Sequence, residues 1–80
     1  MKLPRDLSGL ELARALRKVG YRVTRQTGSH MRLTTSERGE QHMTIPAHES
    51  LRIGTLAGIL GDVAEHLNLT RDELARRLFG

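Results

Sequence analysis

At Gly20 the spacing of apolar residues changes, and that change divides the chain into a helical opening and a sheet. Before it, Leu12, Ala13, Leu16 and Val19 recur at the three- and four-residue spacing that lines one side of a helix, with Arg14, Arg17 and Lys18 on the other side. Ser8 is placed to cap that helix with Glu11 three residues on, and Leu7 and Leu12 occupy the flanking staple positions. Gly20 supplies the stop. After it, apolar residues alternate with polar ones. Tyr21 and Val23, then Met31 and Leu33, then Met43 and Ile45 point one way; Arg22, Thr24 and Gln26, then His30, Arg32 and Thr34, then His42 and Thr44 point the other. Turns are expected at Thr27-Gly28-Ser29 and at Ser36-Glu37-Arg38-Gly39, and Pro46 closes the last strand.

Beyond the loop 47–54 the helical period returns. Leu56, Ile59, Leu60, Val63 and Leu67 form the buried stripe of a second helix, expected to be capped by Thr55 and ended by Asn68. Gly58 and Gly61 weaken such a helix by about 1 kcal/mol each, which close packing against a neighbour would explain. Thr70 and Glu73 form a second capping box, with Leu69 and Leu74 as its staple, for a terminal helix ending near Leu78. The expected fold is therefore α+β, in the order α-β-β-β-α-α: a three-stranded antiparallel meander with helices on one face and the other face open.

The chain has 80 residues, read as a single domain over 1–80. A core of that size leaves no room for a deep cavity, so function belongs on a face or in a shallow groove. There is no cysteine, which removes disulfide frameworks and thiolate metal sites. The opening residues include Lys2, Arg5 and Asp6 and no apolar run of the kind a secretory leader uses, and no stretch is long enough to span a bilayer. A cytoplasmic protein without a membrane association is expected. The balance of 13 Lys and Arg against 9 Asp and Glu gives a net charge of +4, with Lys2 and Lys18 the only lysines. Forked guanidinium donors suit phosphate, so nucleic acid is the first partner to consider, although a basic surface alone names no site.

The polar side of the alternation gathers Arg22, Thr24, Gln26, His30, Arg32, Thr34, His42 and Thr44, with no acidic residue among them. His30 and Arg32 are two residues apart on one strand, about 6–7 Å at a rise of about 3.3 Å per residue. An arginine at that distance can hold phosphate while an imidazole, with a reference pKa of about 6.5, moves a proton at the reacting oxygen. Taken alone, the pattern favours reading His30 as an ordinary solvated strand residue, and Arg22 and Arg32 as ordinary solubilising ones. His42 is a weaker candidate for a second acid or base, and His48 after Ile45-Pro46 reads more readily as a loop-orienting residue than as a site residue. The four histidines lack the spacing of a zinc site, so no metal is expected. Gly28-Ser29 leads into a strand and not a helix, which excludes a phosphate-binding loop or a nucleophile elbow, and no cofactor is expected.

Six short segments, in order along the chain, carry a family resemblance. Ser8-Gly9-Leu10-Glu11-Leu12, Leu16-Arg17-Lys18-Val19-Gly20-Tyr21 and Arg25-Gln26-Thr27-Gly28-Ser29-His30 are similar to the first half of HicA-type (YcfA-like) toxins. Ile45-Pro46-Ala47-His48, then Gly54-Thr55-Leu56 and Ile59-Leu60, are similar to the second half, so that the likeness runs over about residues 8–67. Gly58 departs from the longer residue usual there, and the terminal helix extends beyond the shortest family members. The resemblance implies a fold like the double-stranded-RNA-binding domain, cleavage of mRNA, and neutralisation by a HicB-type antitoxin. It implies that His30 is the catalytic residue, with Gly28 and Ser29 shaping the turn that presents it, and His48 at a family position of open role. On this reading Arg22, Gln26, Ser29, Arg32 and Thr34 contact RNA, with Gly28, His42 and His48 as accessory residues. A non-catalytic RNA-binding module and a protein-interaction module that docks an antitoxin remain the alternatives.

Overall fold

A computed structural model describes residues 3–80; Lys2 lies outside them. The first helix, α1 (Gly9–Leu16), starts where the capping box was expected. Ser8 Oγ accepts from the Glu11 amide at 3.0 Å, and Glu11 Oε1 accepts from the Ser8 amide at 2.9 Å. A single 3-10 turn (Arg17–Val19) extends α1 to Gly20, whose φ of +97° reverses the chain at no side-chain cost. Three strands follow, β1 (Arg22–Thr27), β2 (His30–Thr35) and β3 (Gln41–Pro46), in one antiparallel sheet ordered β1-β2-β3. Two helices, α2 (Ile53–Leu67) and α3 (Arg71–Phe79), complete the chain.

The helices pack on one side of the sheet. Leu12 and Leu16 of α1, Leu56, Leu60 and Val63 of α2, and Leu74 and Leu78 of α3 meet Met31, Leu33 and Ile45 of the strands in one buried cluster. This is the α+β arrangement of a double-stranded-RNA-binding domain, and its shortest dimension of 18 Å is that of two layers. Tyr21, just ahead of β1, is buried, and its hydroxyl donates to Gln41 Oε1 at the start of β3. His66 binds the Glu37 and Gly39 carbonyls at 2.8 and 3.0 Å, fastening the end of α2 to the β2–β3 turn.

The structure corrects three local expectations. Thr55 does not cap α2. The helix starts three residues earlier, with Arg52 at the cap making no side-chain bond and its carbonyl accepting from the Leu56 amide, so Thr55 falls within the first turn. Gly61 does face a close neighbour, the Arg71 guanidinium, but a Cβ at Gly58 would meet nothing within 4 Å. The strict alternation of β1 also fails. Thr27 pairs with His30 across a two-residue turn, Gly28-Ser29, and the residue thereby released is taken up as a bulge between Val23 and Arg25. Gly28 at φ +55° occupies the first position of that turn, where a primed hairpin turn needs a positive φ.

Candidate functional site

The bulge decides which β1 side chains share a face with His30, because residues paired across an antiparallel ladder point the same way. Arg25 pairs with Arg32, Thr27 with His30, and Gln26 with Met31. Gln26 therefore lies on the side of core-facing Met31 and not beside His30 as the plain alternation implied. Arg25 and Thr27 take its place. In β2 and β3 the expected alternation holds, since Met31, Leu33 and Ile45 are buried while His30, Arg32 and Thr44 are exposed. Val23, although paired with Leu33, stays 42% exposed because β1 is an edge strand that the helices cover poorly.

His30 opens the central strand, held on both sides. Its ladder partners are Thr27 in β1 and Pro46 in β3. Ser29 Oγ stands 3.5 Å from His30 Nδ1. The Ala47 amide donates to the Ser29 carbonyl at 2.6 Å, and the Gly9 amide to the His48 carbonyl at 2.9 Å, so the turn, the end of β3 and the start of α1 are tied in series. His30, Arg32, Arg25, Thr27 and Thr44 line a shallow groove of ≈ 200 Å³ on the open face. Neither guanidinium has a hydrogen-bond or ion-pair partner among the described residues.

The other candidates are distributed differently. Thr34 faces the open side but is only 7% exposed, and its hydroxyl is shared between Thr24 Oγ1 and His42 Nδ1, each at 2.8 Å. It organises the far end of the sheet and offers RNA no free hydroxyl. Arg22 and His42 both pair with Thr34, four residues along β2 from His30, which is about 13 Å at the ordinary strand rise. That separation keeps His42 from sharing one phosphodiester with His30. His42 instead engages Glu40, at 3.4 Å from Nε2, so an acidic group reaches this end of the face after all. His48 is exposed beyond β3 and lines a separate groove of ≈ 330 Å³ with Pro46, Ser50, Arg52 and Thr55. Its recorded tie is the backbone bond to Gly9.

Arg25 and Thr27 are the site residues that the plain alternation missed. The signal was in Gly28-Ser29, a dipeptide suited to a two-residue hairpin, which forces the register that a three-residue turn would not. A further concavity of ≈ 460 Å³ between Arg17, Lys18, Arg38, Leu67 and Arg77 holds no histidine and lies at the opposite end of the strands. Among the described residues no three of His, Asp or Glu are grouped as a metal site would require, and no helix is long and apolar enough to cross a membrane.

Comparison with known proteins adds an independent finding. No curated protein and no solved structure matched the chain. The family described as the HicA toxin of bacterial toxin–antitoxin systems matches residues 9–64. That span runs from Gly9 at the start of α1, through the whole sheet, to Ala64 within α2, and leaves α3 outside it. Covering well over half of the chain, the match shows that this protein belongs to the HicA toxin family, the toxin half of a toxin–antitoxin pair.

Proposed function

We propose that this toxin is an endoribonuclease that cleaves mRNA in the cytoplasm without a metal cofactor, with His30 as its catalytic residue, and that a HicB-type antitoxin neutralises it. The observation that carries the reading is the exposed imidazole of His30 in a groove with two guanidiniums unpaired among the described residues, on a sheet face the helices leave bare. Cleavage follows from proton transfer. The 2′-oxygen forms a bond to phosphorus as the bond to the 5′-oxygen breaks; one proton leaves the 2′-hydroxyl and another is delivered to the departing oxygen. His30 performs one of these transfers, a contribution of about 10²–10⁴ in rate. Solvent carries the other, because His42 is occupied at the far end of the sheet. Arg32 stabilises the charge that builds on the phosphorane oxygens. Gly28 and Ser29 hold the turn that presents His30, and Arg22 extends the basic track along the face.

His30→Ala should abolish RNA cleavage and growth arrest on expression while leaving the far-ultraviolet circular dichroism and melting curve nearly unchanged, because an exposed strand side chain contributes little to folding. Incubation of purified protein with end-labelled RNA checks it. Undiminished cleavage by that variant removes His30 from the chemistry; RNA retarded on a gel but left whole by the wild type identifies a binding module instead.

A further inference from the structure

The bulge in β1 sets two arginines directly opposite each other. Arg25 and Arg32 are ladder partners, so their Cβ atoms lie about 4.5–5.5 Å apart on the same face. Like charges in that position destabilise a sheet, and among the described residues this pair has no carboxylate to relieve it. The nearest acidic group on this face, Glu40, is engaged with His42 at the other end. The irregularity that creates the pair is itself secured: Thr24, in the bulge, donates from Oγ1 to the Arg32 carbonyl at 3.3 Å and shares a hydrogen bond with Thr34 Oγ1. A regular register would have turned Arg25 toward the Met31 side and relieved the repulsion. The chain holds the strained arrangement with two hydroxyls.

We propose that Arg25 and Arg32 form a phosphate clamp, a pair of guanidiniums closing on the non-bridging oxygens of one RNA backbone phosphate beside His30. The ligand class follows from the donors, since two forked cations lining one groove match a tetrahedral dianion or a phosphodiester better than a planar base edge. The face also lacks an aromatic platform. Tyr21 is buried and Phe79 packs against the core, so no Phe, Tyr or Trp among the described residues offers bases a broad platform here, which favours a grip on the backbone. This assignment rests on the nuclease reading only in taking RNA as the ligand.

The test uses a 2′-O-methylated oligoribonucleotide, which binds but cannot be cleaved, with wild type, Arg25→Gln, Arg32→Gln and the double variant. Each single variant should bind roughly ten- to a hundredfold more weakly, the range for a hydrogen bond to a charged group. The double variant should be little worse than either, because both side chains serve one phosphate. Arg14→Gln on the exposed side of α1 and Gln26→Ala on the opposite face of β1 should bind like wild type. Inorganic phosphate should raise the melting temperature of wild type above that of Arg25→Gln, relative to chloride at equal ionic strength. Without added anion, Arg25→Gln should be as stable as wild type or more so, an outcome a merely structural arginine would not give. Wild-type affinity in Arg25→Gln, or strictly additive losses in the double variant, overturns the clamp. Wild type that binds the oligonucleotide with the expected coupling but leaves an unmodified RNA intact sustains the clamp and defeats the nuclease reading instead.

Discussion

Gly9 has no space for a side chain. A Cβ there would stand 2.0 Å from the Pro46 carbonyl oxygen, which is backbone and cannot swing aside. The first residue of α1 is thus pressed against the end of β3, and Gly9→Ala should cost about 1–3 kcal/mol, the range for overpacking, measured by urea denaturation. Gly58 is the contrary case. It sits in the exposed interior of α2 with nothing within 4 Å of a Cβ, so Gly58→Ala should raise stability by about 1 kcal/mol through helix propensity alone. A sequence presents the two positions alike; only the proximity of another segment's backbone separates them.

At the scale of elements, both capping boxes carry a pH dependence. Hydrogen bonds from the Ser8 backbone and hydroxyl hold the Glu11 carboxyl below its usual value of 4.5, and Thr70 does the same for Glu73. A lowered folded-state pKa means that the folded chain binds fewer protons, so this contribution is complete above pH 4.5 and is lost as pH falls through the lowered values. The double variant Glu11→Gln, Glu73→Gln should therefore show a flatter loss of stability between pH 5 and pH 3 than wild type by denaturant titration. These boxes were legible in the sequence because their signal is local, a hydroxyl and a carboxylate three residues apart. The same holds for Gly20 and Asn68, which end their helices in the left-handed conformation, and for the alternation in β2 and β3. What could not be read from alternation was the partner of each β1 residue. The turn is one residue tighter than the pattern implied, and the excess went into a bulge that exchanged Gln26 for Arg25 on the open face. The missing cap of α2 has a similar origin, since Leu51 and Leu56 are buried and set the start of the helix without help from Thr55.

For the molecule as a whole, the two layers are joined at Tyr21, which is 1% exposed and bridges the exit of α1 to β3 through Gln41. Burial, reinforced by the charge of Asp62, pushes its phenol up to about 12 from 10.0. The folded chain then holds a proton that the unfolded chain releases, so stability is retained below pH 10 and falls as pH rises from 10 to 12. Tyr21→Phe should remove most of that alkaline slope, as followed by denaturant unfolding at pH 9, 10 and 11, at the expense of the hydrogen bond to Gln41.

The bonds from Ala47 to Ser29 and from Gly9 to His48 have a consequence for the proposed inhibition. The hairpin tip bearing His30 is moored to the first helix through the segment leaving β3, so it lacks the play of an ordinary loop and cannot be bent out of shape without undoing the fold's own closure. If, as proposed, a HicB-type antitoxin neutralises this site, a cover laid over the face would leave those bonds intact. On that reading the antitoxin would fit a fixed contour, and its departure alone would restore the surface.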